Sequence, residues 1–335
     1  MLLKLFKGTG PGVIFLIAVT LAGLWIGAFI DPQLPGEAVY ETSPMPLYGI
    51  ITSLAGTSPL PGVILSFLIV TVLLMLLTYF NTSVFFINER TFLPALFYIL
   101  LCSFYPEIRI LNPVLPAALF LMVAIMRIID TYRKPGTAFN YFDAGILISI
   151  GSLFYFNVIW FGLLLIAGII LLRSGNIREP GIAVLGLITP YIILLGLYFV
   201  LEIDIESFFA DIKNNLAVES PGYHFPRLTI ILMILAGLLF LVSIVFLMAQ
   251  MSSKKIKSRK TFFLLMWVLS VSLAVFLFLP SVSVEMIWIT AIPASYILAH
   301  YFVFARKKLV PEIMFTGLFL LVILVQVLFS FGIII

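Results

Sequence analysis

Residues 61–80 read PGVILSFLIVTVLLMLLTYF. The stretch carries no charge, and its few polar atoms are hydroxyls. A soluble amphipathic helix would show a polar stripe, and a half-buried strand would alternate. Twenty residues rising 1.5 Å each reach about 30 Å, the thickness of a bilayer's hydrocarbon core. The stretch therefore predicts a helix in contact with lipid, and the rest of the chain repeats the pattern. Of 335 residues, 63% are hydrophobic and 10% are charged, where a soluble domain is about one quarter charged. Outer-membrane barrel strands alternate apolar and polar residues, which windows like this one do not. The expected fold class is all-α, a polytopic transmembrane helical bundle.

Further spans are expected at about 12–30, 112–131, 181–201, 228–250, 262–280, 286–304 and 311–333. Residues 1–30 look like a signal peptide, with Lys4 and Lys7 ahead of an apolar run. That run is long for a signal core, so it reads as the first spanning helix. Two regions are less regular. Residues 91–106 are uncharged but short for a span. Residues 144–172 are long for one helix and short for two.

Charge decides the second region. If 144–172 is a tight hairpin of two short helices turning near FYFN, and 91–106 is a short span, about 11 crossings result. Sixteen of the 19 Lys and Arg, from Lys4 to Lys308, then share one side. Three, Arg109, Lys213 and Arg227, lie on the other. A single crossing would put the basic MSSKKIKSRK (251–260) outside and the acidic EIDIESFFAD (202–211) inside, against the positive-inside bias. With the hairpin, the N-terminus is cytoplasmic and the C-terminus periplasmic, in the inner membrane. Ten of the 15 acids fall on the outer side. The whole of 1–335 reads as one transmembrane domain with no soluble domain. The outer segments about 31–60 and 202–227 are the longest loops, each with an apolar piece suited to a short interfacial helix.

Few residues can carry chemistry. A net charge of +4 suits cytoplasmic loops better than a nucleic-acid partner. Cys102 cannot form an internal disulfide and sits in an apolar run. With only two histidines, His224 and His300, no metal-ligand cluster is expected. No cofactor is expected, since phosphate-binding loops, metalloprotease motifs and serine elbows are missing. Asp31 ends the first span just before Pro32. It is either a general base towards an acceptor hydroxyl or a solvated helix-end acid. Arg109 can bind a lipid phosphate bidentately or pair locally with Glu107. His224 and Arg227, in PGYHFPR, can hold a phosphate or anchor the interface. Glu285 is suited to the N-terminal dipole of its helix. The run Lys254–Lys260 sets topology and meets anionic lipid. His300 and Gln326, alone in apolar spans, suit helix–helix hydrogen bonds.

The order of elements carries a resemblance. A first helix ends in an acid, and a long outer loop with an interfacial piece follows. Then come the turn NTSVFFINERT (81–91), the short rising span LPALFYILLCSFYP (93–106) and the small-residue hairpin opening FDAGILISIGSLFYFN (142–157). Near the C-terminus MIWITAIPASYILAHYF (286–302) joins an aromatic, an Ile-Pro pair and an apolar helix. This resembles the membrane module of GT-C glycosyltransferases, over about residues 10–175 with an echo at 280–304 and further helices over about 181–335. The chain is also similar to polytopic inner-membrane proteins of Bacteroidota, a likeness that implies no particular activity.

The GT-C resemblance implies transfer of a sugar from a polyprenyl-phosphate donor at the periplasmic face. It implies Asp31 as the catalytic acid/base, with Glu37 or Glu41 standing in for the second acid of the family's usual pair. Glu285 occupies the place where the family often has a basic residue, so Arg109, His224 or Arg227 would hold the lipid phosphate. Two alternatives stand beside it. One is a non-catalytic membrane subunit that scaffolds a cell-envelope assembly with membrane-protein partners. The other is a lipid or small-molecule transporter.

Overall fold

The structure, a computed structural model, describes residues 2–33, 44–56, 58–134, 136, 138–172, 178–218, 225–305 and 309–331. Among them the secondary structure is entirely helical. The first five helices are α1 (Leu2–Phe6), α2 (Pro11–Ile30), α3 (Pro46–Ala55), α4 (Pro59–Val84) and α5 (Leu93–Cys102). Next come α6 (Val114–Ile129), α7 (Ala138–Ser152), α8 (Leu163–Leu172), α9 (Arg178–Val200) and α10 (Ile205–Ala217). The last four are α11 (Arg227–Gln250), α12 (Ile256–Phe278), α13 (Ile287–Phe304) and α14 (Leu309–Ser330).

Prolines punctuate the starts. Pro11, Pro46 and Pro59 open α2, α3 and α4, where a missing N–H costs nothing and a fixed φ already suits the helix. At the start of α10 the Asp204 carboxylate instead accepts the Glu206 N–H at 2.9 Å, filling one of the donors a helix start leaves open.

Among the described residues seven helices are long and apolar enough to cross a membrane: α2, α4, α9, α11, α12, α13 with its preceding turn, and α14. Their burial divides them. α13 is 83% buried over its most apolar window, while α9 is 17% and α2, α11 and α14 are each 28%. The outer helices turn large side chains such as Ile192, Leu238 and Leu277 away from the protein. Water would penalise that surface, and lipid does not. The protein is thus a multi-pass helical membrane protein built round α13 and α5. All ten residues of α5 are buried, as are 15 of the 18 in α13. One contiguous apolar cluster runs from Leu3 to Val325.

Within 91–106 only Leu93–Cys102 is α-helical. Ten residues rise about 15 Å, half the bilayer core. Backbone outside a helix is tolerated at such depth only when protein covers it. Here it is covered: Ser103–Ile108 and Arg109–Pro113 are buried except Glu107. On the other side, Asn81 donates to the carbonyls of Glu89 (3.3 Å) and Thr91 (3.4 Å), closing the turn after α4.

The region 144–172 folds back on itself. α7 ends at Ser152, residues 153–155 turn, and a 3-10 stretch Phe156–Gly162 leads into α8. Gly151 lies against Val158, and Gly168 against Tyr141, so the two arms are antiparallel. α9 then runs parallel to α7: Gly145 faces Ala183 and Leu187, Gly186 faces Phe142, and the Ser152 and Tyr191 hydroxyls meet at 2.6 Å. The bare glycines let the two backbones touch.

Two ends of the bundle follow. At one, the Leu3 N–H donates to Glu312 (3.0 Å) and Lys7 to the Val303 carbonyl (2.8 Å). Lys254 meets His300, and Lys260 lies over the Tyr132 ring. At the other, Tyr48 donates to the Leu111 carbonyl (3.1 Å), Leu47 N–H to Leu153 (3.1 Å) and Asn157 to Ser281 (3.3 Å). The expected interfacial pieces form helices here, α3 and α10. Phe208 of α10 is buried between Tyr191 and Tyr198. Lys7, Lys254 and Lys260 belong to the first end, and Asp31, Glu107, Arg109 and Asp204 to the second.

Candidate functional site

The loop Ser103–Pro113 links α5 to α6 at the acidic end. Its backbone is held from several directions. Gln326 of α14 donates to the Ser103 carbonyl and Tyr48 of α3 to that of Leu111. Asn112 donates to the carbonyls of Ile108 (3.2 Å) and Ile110 (3.3 Å), and its side-chain oxygen accepts the Leu115 N–H (3.0 Å) at the start of α6. One asparagine thus shapes the loop and satisfies a donor at the helix start.

Arg109 is the charged centre of this loop and is only 2% exposed. Its Nε donates to the Pro106 carbonyl at 3.2 Å. Its Nη1 is sealed from solvent with no hydrogen-bond partner. Burial pushes the guanidinium down to about 9, because the charged form loses its hydration. The local pair with Glu107 does not form: Glu107 is exposed and accepts from the Tyr105 hydroxyl at 2.5 Å. A buried cation whose forked donors are only partly engaged is costly. It is also what a planar or tetrahedral oxyanion requires.

Other polar atoms at this end are also left open. Trp288 Nε1, at the start of α13, is buried without a partner, although the Trp288 carbonyl accepts from Tyr98 at 2.9 Å. The Gln326 side-chain oxygen is buried without one as well. Glu285 precedes α13 in a 3-10 turn, is buried, and accepts from Ser283.

The expected site residues are distributed unevenly. Arg227 is exposed at the start of α11. Two residues before it, the Phe225 ring meets that of Tyr105 at 5.5 Å, so Arg109 and Arg227 belong to adjoining segments. Asp31 is exposed. Its N–H donates to the Gly27 carbonyl (3.0 Å) and closes α2. Gly27 faces Ser330 of α14, the helix whose Gln326 bonds Ser103 at the start of the Arg109 loop. No described contact joins Asp31 to Arg109 or Arg227. Glu37, Glu41 and His224 lie outside the described residues. An apolar cavity of about 380 Å³ between α8 and α12, lined by Trp160, Trp267 and Ala274 among others, contains none of the expected site residues.

Sequence reasoning expected Gln326 to bond another helix, whereas its partner is the Ser103 carbonyl at the start of the loop after α5. It missed Trp288, which looks like ordinary packing. His300 also differs from expectation. It bonds a lysine in the α11–α12 loop, not another helix, because α13 ends where that loop passes. Among the described residues no group of three metal-ligating side chains forms.

The comparisons give one match. Residues 57–334 match the model of a family described as being of unknown function. No curated protein and no solved structure matches.

Proposed function

We propose that this chain, which belongs to DUF6427, a family of unknown function, holds the phosphate of a membrane lipid at the Arg109 end of its bundle. The observation that carries this reading is the Arg109 guanidinium, buried with its Nη1 unpartnered. A phosphate oxygen on Nη1 would supply the missing acceptor and offset the buried charge. Arg227 stands on the adjoining segment, where a second oxygen or the lipid's outer substituent would lie. A polyprenyl phosphate in the inner membrane suits the site, since its tail stays in the bilayer.

The reading is one of binding without turnover, as a scaffold subunit of a cell-envelope assembly. Sugar transfer by a GT-C-like module is the second reading, supported by the order of elements through α8. It needs Asp31 beside the lipid phosphate, and Asp31 is an exposed helix cap. Proximity of base, acceptor and leaving group supplies most of such a rate.

Two measurements test this. In nanodiscs of phosphatidylcholine, native mass spectrometry of the full chain is expected to retain a polyprenyl phosphate and release the matching polyprenol. Equal retention of both would remove the phosphate from the interaction. In cells, Asp31→Asn is expected to leave glycan and lipid-linked-sugar profiles as in the wild type, in a strain where complete deletion alters them. A deletion-like profile in that variant would instead establish the transferase reading.

A further inference from the structure

The opposite end of the bundle carries a second set of cations, two of which pair with no carboxylate among the described residues. Two lysines far apart in sequence reach the last turn of α13. Lys7, just past α1, donates to the Val303 carbonyl at 2.8 Å. Lys254, between α11 and α12, lies 2.6 Å from His300 Nε2. His300 is fully buried and fixed by the rings of Phe246, Phe262 and Phe304 at 5.9, 5.4 and 4.9 Å. Lys254 can only donate, so His300 Nε2 is the acceptor and the imidazole is neutral. The Lys254 ammonium also lies 5.2 and 5.4 Å from the ring centres of Phe262 and Phe304. These contacts position the cation without neutralising it.

Among the described residues no carboxylate pairs with Lys7 or Lys254. Glu312, which follows α13 in sequence, accepts the Leu3 N–H. Burial pushes Lys254 down to about 8, while the two ring faces act in the opposite sense. Each ammonium has three N–H groups, so both retain donors for an outside acceptor.

We propose that Lys7 and Lys254 form a site for the phosphate of an anionic phospholipid head group at the last turn of α13. Three observations select a lipid over an acidic protein segment. The pair stands where α11 ends, α12 begins and α13 ends, the level at which spanning helices meet head groups. Beside it, Leu5, Met248 and Ile256 expose 57%, 42% and 47% of their surfaces, which suits acyl chains attached to the bound head. Lys255, Lys257 and Arg259 follow in the chain and add a field that draws anionic lipid to this end.

This site is independent of the one at Arg109. Its test uses the full chain in phosphatidylcholine nanodiscs with and without phosphatidylglycerol, read by native mass spectrometry as lipid retained. Lys254→Gln and, separately, Lys7→Gln are each expected to weaken phosphatidylglycerol retention about fivefold, the scale of one basic contact at an anionic surface. Lys260→Gln removes the same charge from a side chain over Tyr132, 5.6 Å from its ring centre, and is expected to leave retention near wild type. Equal losses in all three variants would reduce the site to a diffuse surface field and overturn the proposal. So would equal retention of the two lipids by the wild type, or full displacement of phosphatidylglycerol by inorganic phosphate. If one lysine variant fails to fold, the other decides.

Discussion

Gly186→Val is expected to prevent α7 and α9 from packing and to cause the largest loss of stability of any single change considered. A Cβ at Gly186 would lie 2.4 Å from the Phe142 carbonyl oxygen and 3.0 Å from its Cα. At Gly145, across the same crossing, it would lie 2.7 Å from the Ala183 oxygen and 3.0 Å from the Leu187 nitrogen. These are backbone atoms, which cannot rotate aside as a side chain can. Overpacking of a well-filled core costs about 1–3 kcal/mol. A backbone obstacle in a helix pair that also carries the Ser152–Tyr191 bond should reach or exceed the upper part of that range. Gly196, on the same helix, has nothing within 4 Å of its ideal Cβ, so Gly196→Val is the matched control, expected within about 0.5 kcal/mol of wild type. Thermal unfolding in detergent and the yield of monodisperse protein measure both. A Gly186→Val protein as stable as Gly196→Val would mean that the helices do not approach so closely.

Arg109→Met is expected to abolish lipid-phosphate binding while leaving the fold intact. Methionine keeps most of the volume and flexibility of the side chain and removes the charge. Replacing buried charges by apolar groups of similar size is often neutral or stabilising by about 1–4 kcal/mol. Arg109 has only the Pro106 carbonyl as a described acceptor, so the melting temperature should stay level or rise. Retention of polyprenyl phosphate should fall about a hundredfold, the scale of losing a charge-assisted buried contact. Arg109→Lys should fall between, since an ammonium keeps the charge without the fork. A stable Arg109→Met protein that binds the lipid phosphate as well as wild type would rule out the proposed function. A protein that unfolds would show that the Pro106 bond holds the loop, and Arg109 would then be a structural residue.

Much of the architecture was legible because the bilayer imposes a simple rule on composition. Residues 61–80 form the central part of α4, and the span expectations at 12–30, 228–250 and 286–304 match helices to within a few residues. The folding back of 144–172 was readable from charges that lie elsewhere, since each crossing reverses the side of every later loop. Among the described residues seven helices are long and apolar enough to span. The short ones, α5 to α8, are the elements on which the larger expected count depends.

The interior was not legible. α9 and α13 are both apolar and uncharged over long windows, yet one is 17% buried and the other 83%. In water, a polar stripe would mark the exposed face. In lipid, the exposed face and the core call for the same residues, so the pattern cannot tell them apart. For the same reason nothing in LPALFYILLC distinguishes a short span from a helix wholly enclosed by others. The site followed a similar division. Arg109 was visible as a rare cation on the acidic side, but its alternative partner Glu107 was equally visible, and only the fold turned Glu107 towards Tyr105. Lys254 and His300 are 46 positions apart, a separation at which no local spacing rule applies.

The sequence by itself determined that this is a helical membrane protein, where most of its long helices begin and end, and which charges share an end. Those properties follow from the cost of placing charge and open backbone in hydrocarbon, a cost each segment meets alone. The tertiary structure decided which apolar helices form the centre, that Asp31 is an exposed helix end, and that Arg109 is sealed with an open donor. Those properties depend on which side chains meet across the bundle, and in a lipid solvent composition does not encode that choice.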